Sequence, residues 1–220
     1  MIHAAIFDMD GLLFDTERLY CDAWRIFAVE AGYPVTEEQI HSFIGLNHQD
    51  THEMVKACFG PDFPYADFSL KTRNWINDSM AVNGPPEKPG IRQILDFFRT
   101  EAIPVALATS TSEKTARKMI EHAGLASFFS AFAFGSEVSR GKPDPEIFLL
   151  ALKRLGAIER GNCAVFEDSP AGLAAAQAAG MKSVFVKDLV EPDPVILSRV
   201  WKRIDSLERA ASLSFYSDMQ

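Results

Sequence analysis

A chain of 220 residues, 47% of them hydrophobic, can bury a substantial core, as one large domain or as one domain carrying an insert. Its formal charge of −8 and pI near 5.1 exclude the broad basic face that nucleic acid or an anionic membrane requires, yet leave room for a small anionic substrate received by local cations and a metal. The apolar stretches fall well short of the ~20 residues of a membrane span. No basic segment followed by an apolar one precedes the first strand-like run, and Cys21, Cys58 and Cys163 are odd in number with no CxxC pair. These features predict a cytoplasmic protein with buried free thiols.

In chain order, Ile2 to Phe7 reads as a short buried strand that Gly11 ends with a turn. Asp8 and Asp10 follow it. They could be ordinary turn formers, or one could be a nucleophile or metal ligand while the other moves a proton. Thr16 to Gly32 has helical spacing, ended by Gly32 and Pro34, and Glu37 to Val82 stays mainly helical without a convincing strand. Asn83 to Gly90 packs three prolines and two glycines into eight residues and reads as a linker.

Strand and helix alternate beyond it: helix Ile91 to Thr100, strand Ile103 to Ala108, helix Ser112 to Ala123, strand Ala131 to Phe134, helix Pro145 to Leu155, strand Cys163 to Phe166, helix Ala171 to Ala179 and strand Ser183 to Val186. This alternation predicts an α/β fold, a Rossmann-like three-layer core of parallel sheet with helices on both faces. The first strand needs partners from the later block. The economical division is an α/β core of residues 1–14 and 84–220, interrupted by an α-helical cap of residues 15–83. Crossings near Leu13–Asp15 and Asn83–Gly90 would form a hinge, with the insert as a lid over the aspartates.

Three further strand ends carry chemical signals. Val105 to Ala108 delivers Thr109 and Ser110, whose hydroxyls beside a helix start suit a phosphate; Ser110 with Glu113 also fits a capping box. Asp144 and Pro145 fit an N-cap and first helical position, which leaves Lys142 as a solvated charge or as a fixed cation for a carboxylate and a phosphate. Ala164 to Phe166 delivers Glu167 and Asp168, followed by a Ser169 cap and Pro170. Adjacent acids at a buried strand end call for a cation, and oxygen donors favour Mg²⁺ over zinc. Asp168 is the stronger ligand candidate, with Glu167 a second ligand or a supporting acceptor. Ionised Asp8, Asp10, Glu167 and Asp168 repel a phosphate unless Mg²⁺ and Lys142 offset them.

The segments Asp8-Met9-Asp10-Gly11, Thr109, Lys142 and Glu167-Asp168 resemble, in order and strand context, the four motifs of the haloacid dehalogenase-like superfamily. The helical insert resembles the cap of its β-phosphoglucomutase-like and sugar-phosphatase branch. The resemblance implies Asp8 as nucleophile forming an aspartyl-phosphate, Asp10 as general acid then base, and Thr109 and Lys142 on the phosphoryl group. It also implies Mg²⁺ held by Asp8, the Asp10 backbone carbonyl and the acids Glu167 and Asp168. Gly11, Thr16, Ser110 and His48 complete the candidate substrate-binding set.

Asp10 argues against dehalogenation, and the insert argues against a receiver domain. β-Phosphoglucomutases share Thr16 but carry His at the place of Tyr20 and Arg at the place of His48. The expected activity is therefore a phosphatase acting on a small phosphorylated metabolite; a phosphosugar mutase is the alternative, and a catalytically silent binding protein a third reading. A monomer or weak dimer is expected, without nucleic-acid or membrane partners. His48 and His52 could form a metal pair but fit an exposed helix face. Lys71, Arg73 and Trp75 could touch substrate or line a solvated face. Phe97-Phe98 and Phe128-Phe129 read as core aromatics, and Gly172 to Gly180 as a helix packed closely on the sheet.

Overall fold

The computed structural model describes residues 1–44 and 48–212, without the side chains of 48, 49, 211 and 212. The chain divides into two compact units, Met1–Phe14 with Glu87–Gln220, and Asp15–Pro86. Among the described residues no helix is long and apolar enough to cross a membrane.

The first unit is built on a six-stranded sheet. Its strands are β1 (Ala4–Phe7), β2 (Val105–Thr109), β3 (Ala131–Phe134), β4 (Cys163–Glu167), β5 (Lys182–Val186) and β6 (Lys202–Ile204). All neighbours pair parallel, in the order β3-β2-β1-β4-β5-β6. β1, β2 and β4 are buried at every position. They have near-continuous apolar sequences because helices cover both faces of the sheet. On one face Ala4, Ile6, Ala106, Ala108, Cys163 and Val165 present small or branched side chains to α7 (Glu146–Leu155) and α8 (Pro170–Ala178). On the other, Phe7 stacks on Phe166 at 4.4 Å, and Phe98 of α5 (Ile91–Thr100) meets both rings edge-on at 5.9 and 5.8 Å. The order reverses between β1 and β4, the switch point at which doubly wound sheets open a crevice beyond their carboxyl ends.

The sequence pattern does not anticipate β6. Three residues, two of them basic, make a short charged edge strand with no apolar run. The start of β2 also moves, from the expected Ile103 to Val105.

The second unit holds α1 (Thr16–Glu30), α2 (Glu37–Phe43), α3 (His48–Phe59) and α4 (Tyr65–Asn83). Thr36 and Gln39 form a reciprocal capping box that starts α2. Trp24 centres the aromatic core, 4.3 Å from Phe68 and 4.7 Å from Phe43. Lys71 is occupied in joining α4 to α1: it pairs with Glu30 and lies 4.5 Å over the Phe27 ring, which Trp75 meets edge-on. His52 stacks on Tyr65 at 4.6 Å. All three cysteines are free, but only Cys21 and Cys163 are buried. Cys58 is exposed because it lies on the solvent side of α3, where Val55 is buried and Lys56 and Ala57 are not. That corrects the expectation of three buried thiols.

Candidate active site

β1 hands the chain to a tight turn at the sheet's carboxyl end. Asp8 N–H donates to the Phe166 carbonyl at 3.1 Å, and the turn closes through Leu13 N–H to Met9 O and Gly11 N–H to Phe14 O, both 2.9 Å. Gly11 has φ +80°, and a Cβ there would lie 2.3 Å from Asp168 Oδ2. Backbone conformation and proximity to a carboxylate both require glycine at this position.

Three strand ends and one connection converge here. Lys142, in the connection from β3 to α7, donates from Nζ to Asp8 Oδ1 at 2.5 Å and to Glu167 Oε1 at 2.6 Å. Its ammonium also lies 4.9 Å from the Phe148 ring. The other oxygen of Glu167 accepts from Ser169 N–H and Oγ, both at 2.9 Å, while Ser169 caps α8 through Gly172 N–H. A Cβ on Gly172 would fall 1.7 Å from Glu167 Oε1, so α8 comes this near to the carboxylate only because residue 172 has no side chain. Oxygens of Asp8, Glu167 and Asp168, all buried, lie within 4.8 Å of one another. These hard donors fit a divalent cation such as Mg²⁺, with Asp8 and Asp168 the better placed ligands because both Glu167 oxygens already accept hydrogen bonds.

The charges in this cluster set its protonation. Burial pushes the Asp8 carboxyl up to about 8; Lys142 opposes the shift, while Glu167 and Asp10 add to it. Burial alone would lower the Lys142 ammonium, but Asp8 and Glu167 outweigh it and hold the lysine charged well above its ordinary range. One lysine cannot neutralise three buried carboxylates, so an ionised Asp8 calls for a further cation.

The hydroxyl side of the site is built from the end of β2. Thr111 Oγ1 donates to Asp10 Oδ2 at 2.7 Å, and Thr109 Oγ1 approaches the same oxygen at 3.3 Å. Thr111 N–H donates to Thr109 Oγ1 at 3.0 Å.

The fold thus brings Asp8, Asp10, Gly11, Thr109, Lys142, Glu167 and Asp168 together in one unit. Ser110 is exposed, and its expected capping box with Glu113 does not form, because Ser112 is the N-cap of α6 (Glu113–His122). Pro145 rather than Asp144 is the N-cap of α7, although Asp144 Oδ1 still accepts from Glu146 N–H at 3.0 Å. Thr16 opens α1 in the other unit, and the His48 side chain lies outside the described residues. Thr111 was missed. The signal available was its i+2 spacing from Thr109, the spacing at which a Thr hydroxyl accepts a backbone N–H to close a turn.

Paired acids at the switch point of a doubly wound sheet, with a buried lysine across them, put the charged groups of this α/β fold where such sheets bind their ligands. The chain matches the haloacid dehalogenase-like hydrolase model over residues 5–186 and belongs to that family. It is 34% identical over 184 residues to the phosphorylated carbohydrates phosphatase of Thermotoga maritima, with 84% of each chain covered. It is 30% identical over 186 residues to the fructose-1-phosphate phosphatase of Escherichia coli, covering 83% of this chain and 95% of that one. Among solved structures it resembles β-phosphoglucomutase from Clostridium difficile, with a TM-score of 0.73 and 26% identity, over 95% of this chain and 93% of that one. The protein is an enzyme of the phosphoric monoester hydrolase class.

Proposed function

We propose that this enzyme hydrolyses a small phosphomonoester, a sugar phosphate or nucleoside-type phosphate, through an aspartyl-phosphate on Asp8. The observation that carries this reading is the Lys142 ammonium held on Asp8 and Glu167, beside an Asp10 carboxylate bonded to hydroxyls at the next strand end. An Asp8 oxygen attacks phosphorus and the ester P–O bond breaks, the leaving oxygen taking a proton from Asp10. Asp10 then takes a proton from water, whose oxygen attacks the same phosphorus; the bond to Asp8 breaks and phosphate leaves. Lys142 and the Thr109 hydroxyl hold phosphoryl oxygens through both steps, where charge-assisted bonds are strongest. Asp8, Asp168 and the Asp10 backbone carbonyl would hold Mg²⁺, with Glu167 beside them; when bound, the ion offsets the cluster's negative charge and stabilises phosphoryl oxygens. The helical insert of residues 15–83 supplies substrate selectivity.

Water is the acceptor in this reading, not a second sugar hydroxyl. Tyr20, at the place where mutases carry His, is half-buried 6.2 Å from the Trp24 ring, and burial holds its hydroxyl protonated far above neutral pH. The test is a panel of phosphomonoesters and sugar 1-phosphates, scored for both phosphate release and isomer formation. Phosphate release that EDTA stops and Asp8→Asn abolishes is expected. Isomer formation that depends on a bisphosphate activator, without net phosphate release, would overturn the phosphatase reading.

A further inference from the structure

Of the two hydroxyls that reach Asp10 from the end of β2, that of Thr111 is the closer. The 3.3 Å approach of Thr109 Oγ1 to Asp10 Oδ2 is long for an O–H···O bond, whereas Thr111 Oγ1 stands at 2.7 Å, in the normal range. Thr109 Oγ1 is also engaged as the acceptor of the Thr111 N–H. That bond closes the chain from Thr109 to Thr111 into a side-chain-stabilised turn, and the turn aims the second hydroxyl at the carboxylate. Gly135 passes close behind the turn, which its lack of a side chain allows, since a Cβ there would lie 2.3 Å from the Ser110 carbonyl oxygen. Asp10 itself follows β1 and is half-buried, and the Thr111 hydroxyl reaches it from a different strand end.

We propose that Thr111 is the positioning residue for Asp10: its hydroxyl holds Oδ2 and thereby sets the plane of the carboxyl and the direction in which Asp10 presents its proton. This rests on the role given to Asp10 above. A mispointed general acid loses rate where the leaving group needs a proton, and little where it does not.

The test compares an alkyl phosphomonoester, whose alkoxide must be protonated as it leaves, with p-nitrophenyl phosphate, whose phenolate leaves without a proton. The measured quantity is kcat/KM, which reports phosphoenzyme formation. Thr111→Val, nearly isosteric and lacking the hydroxyl, is expected to lose about 10- to 100-fold on the alkyl substrate and less than about threefold on p-nitrophenyl phosphate. Thr111→Ser should restore the alkyl rate. Equal losses on both substrates, or none on either, would overturn the inference and leave Thr111 as a support for the turn. Asp10→Asn separates this failure from that of the function itself. If Asp10→Asn shows the leaving-group split and Thr111→Val does not, only the positioning role falls; if Asp10→Asn shows no split, the acid role of Asp10 falls with it.

Discussion

Replacing Lys142 by Met would keep the four-atom stem packed near Phe148 and remove the charge. In the absence of a divalent cation this leaves the side chains of Asp8 and Glu167, 9% and 0% exposed, facing each other without the ammonium that now lies 2.5 and 2.6 Å from them. Removing one partner from a buried ion pair costs about 3–5 kcal/mol, because the charges left behind stay desolvated. Carboxyl protonation limits that cost, so the lower figure applies at pH 6 and the upper at pH 8, where Asp8 with its lysine present begins to ionise. With a urea m-value of about 2 kcal/mol/M, the midpoint in EDTA falls by roughly 1.5–2.5 M. Urea melts of both proteins at the two pH values, with and without Mg²⁺, measure this directly. A cation bound only by the folded state restores about 2.7 kcal/mol at 100 times its dissociation constant, and the more negative variant should gain more than wild type. An EDTA midpoint within error of wild type would refute the reasoning, since it would mean that Lys142 offsets no buried charge.

The contribution of Asp8 to the pH dependence of the metal-free protein has a definite sign. Burial pushes the Asp8 carboxyl up to about 8 in the folded state, against about 4 when unfolded, so between those values folded Asp8 binds more of a proton and its contribution to stability falls as pH rises, by up to about 1.4 kcal/mol per pH unit. The wild-type minus Asp8→Asn difference in urea midpoint, taken in EDTA from pH 4 to 8, should decline; a rise would overturn the sign. Gly172→Ala should behave opposite to an ordinary helix substitution, where Ala stabilises by about 1 kcal/mol. Its Cβ would meet Glu167 Oε1 at 1.7 Å, so a loss of about 1–3 kcal/mol and a fall in phosphate release are expected, and a raised melting midpoint would refute the close approach. Lys88 donates to Asp188 Oδ1 at 2.6 Å, with the two side chains 14% and 6% exposed. A double-mutant cycle of Lys88→Met and Asp188→Asn should give a coupling of about 2 kcal/mol or more, far above the ~0.5 kcal/mol of a surface pair.

The strands β1, β2 and β4 were legible because each must be apolar to lie between two helical layers, and because each run stops on a polar residue where the sheet stops. That single pattern located Asp8, Thr109 and Glu167 together with the parallel sheet. β6 escaped it, since Lys202 and Arg203 at a sheet edge bury too little to leave an apolar run. The start of α6 agrees with the helix expected from Ser112, and only the expected capping pair differs, for a local reason: Ser110 and Ser112 are equally good caps by residue type. The choice falls to Ser112 because the chain from Thr109 to Thr111 is already committed to its own turn and to Asp10. Thr111 itself carries no spacing signal stronger than i+2, and its partner lies 101 residues away.

Strand order explains why the acids of one site stand some 160 residues apart in the chain. β1 and β4 are neighbours, with Phe7 opposite Phe166, so the next residues outward, Asp8 and Glu167, are adjacent by register and not by chance. Two carboxylates forced together at the end of a buried sheet raise each other's cost of ionisation. The lysine that relieves it arrives from the connection after β3, two strands away from β1, a span that a long side chain can bridge. Negative charge is therefore fixed by the sheet, while its compensation comes from a loop residue and leaves the carboxylates short of positive charge. A site short of positive charge but lined with hydroxyls and oxygen donors accepts a cation and a phosphoryl group together better than either alone, because each offsets the repulsion the other meets. Cation binding and phosphoryl binding should therefore be cooperative in this core.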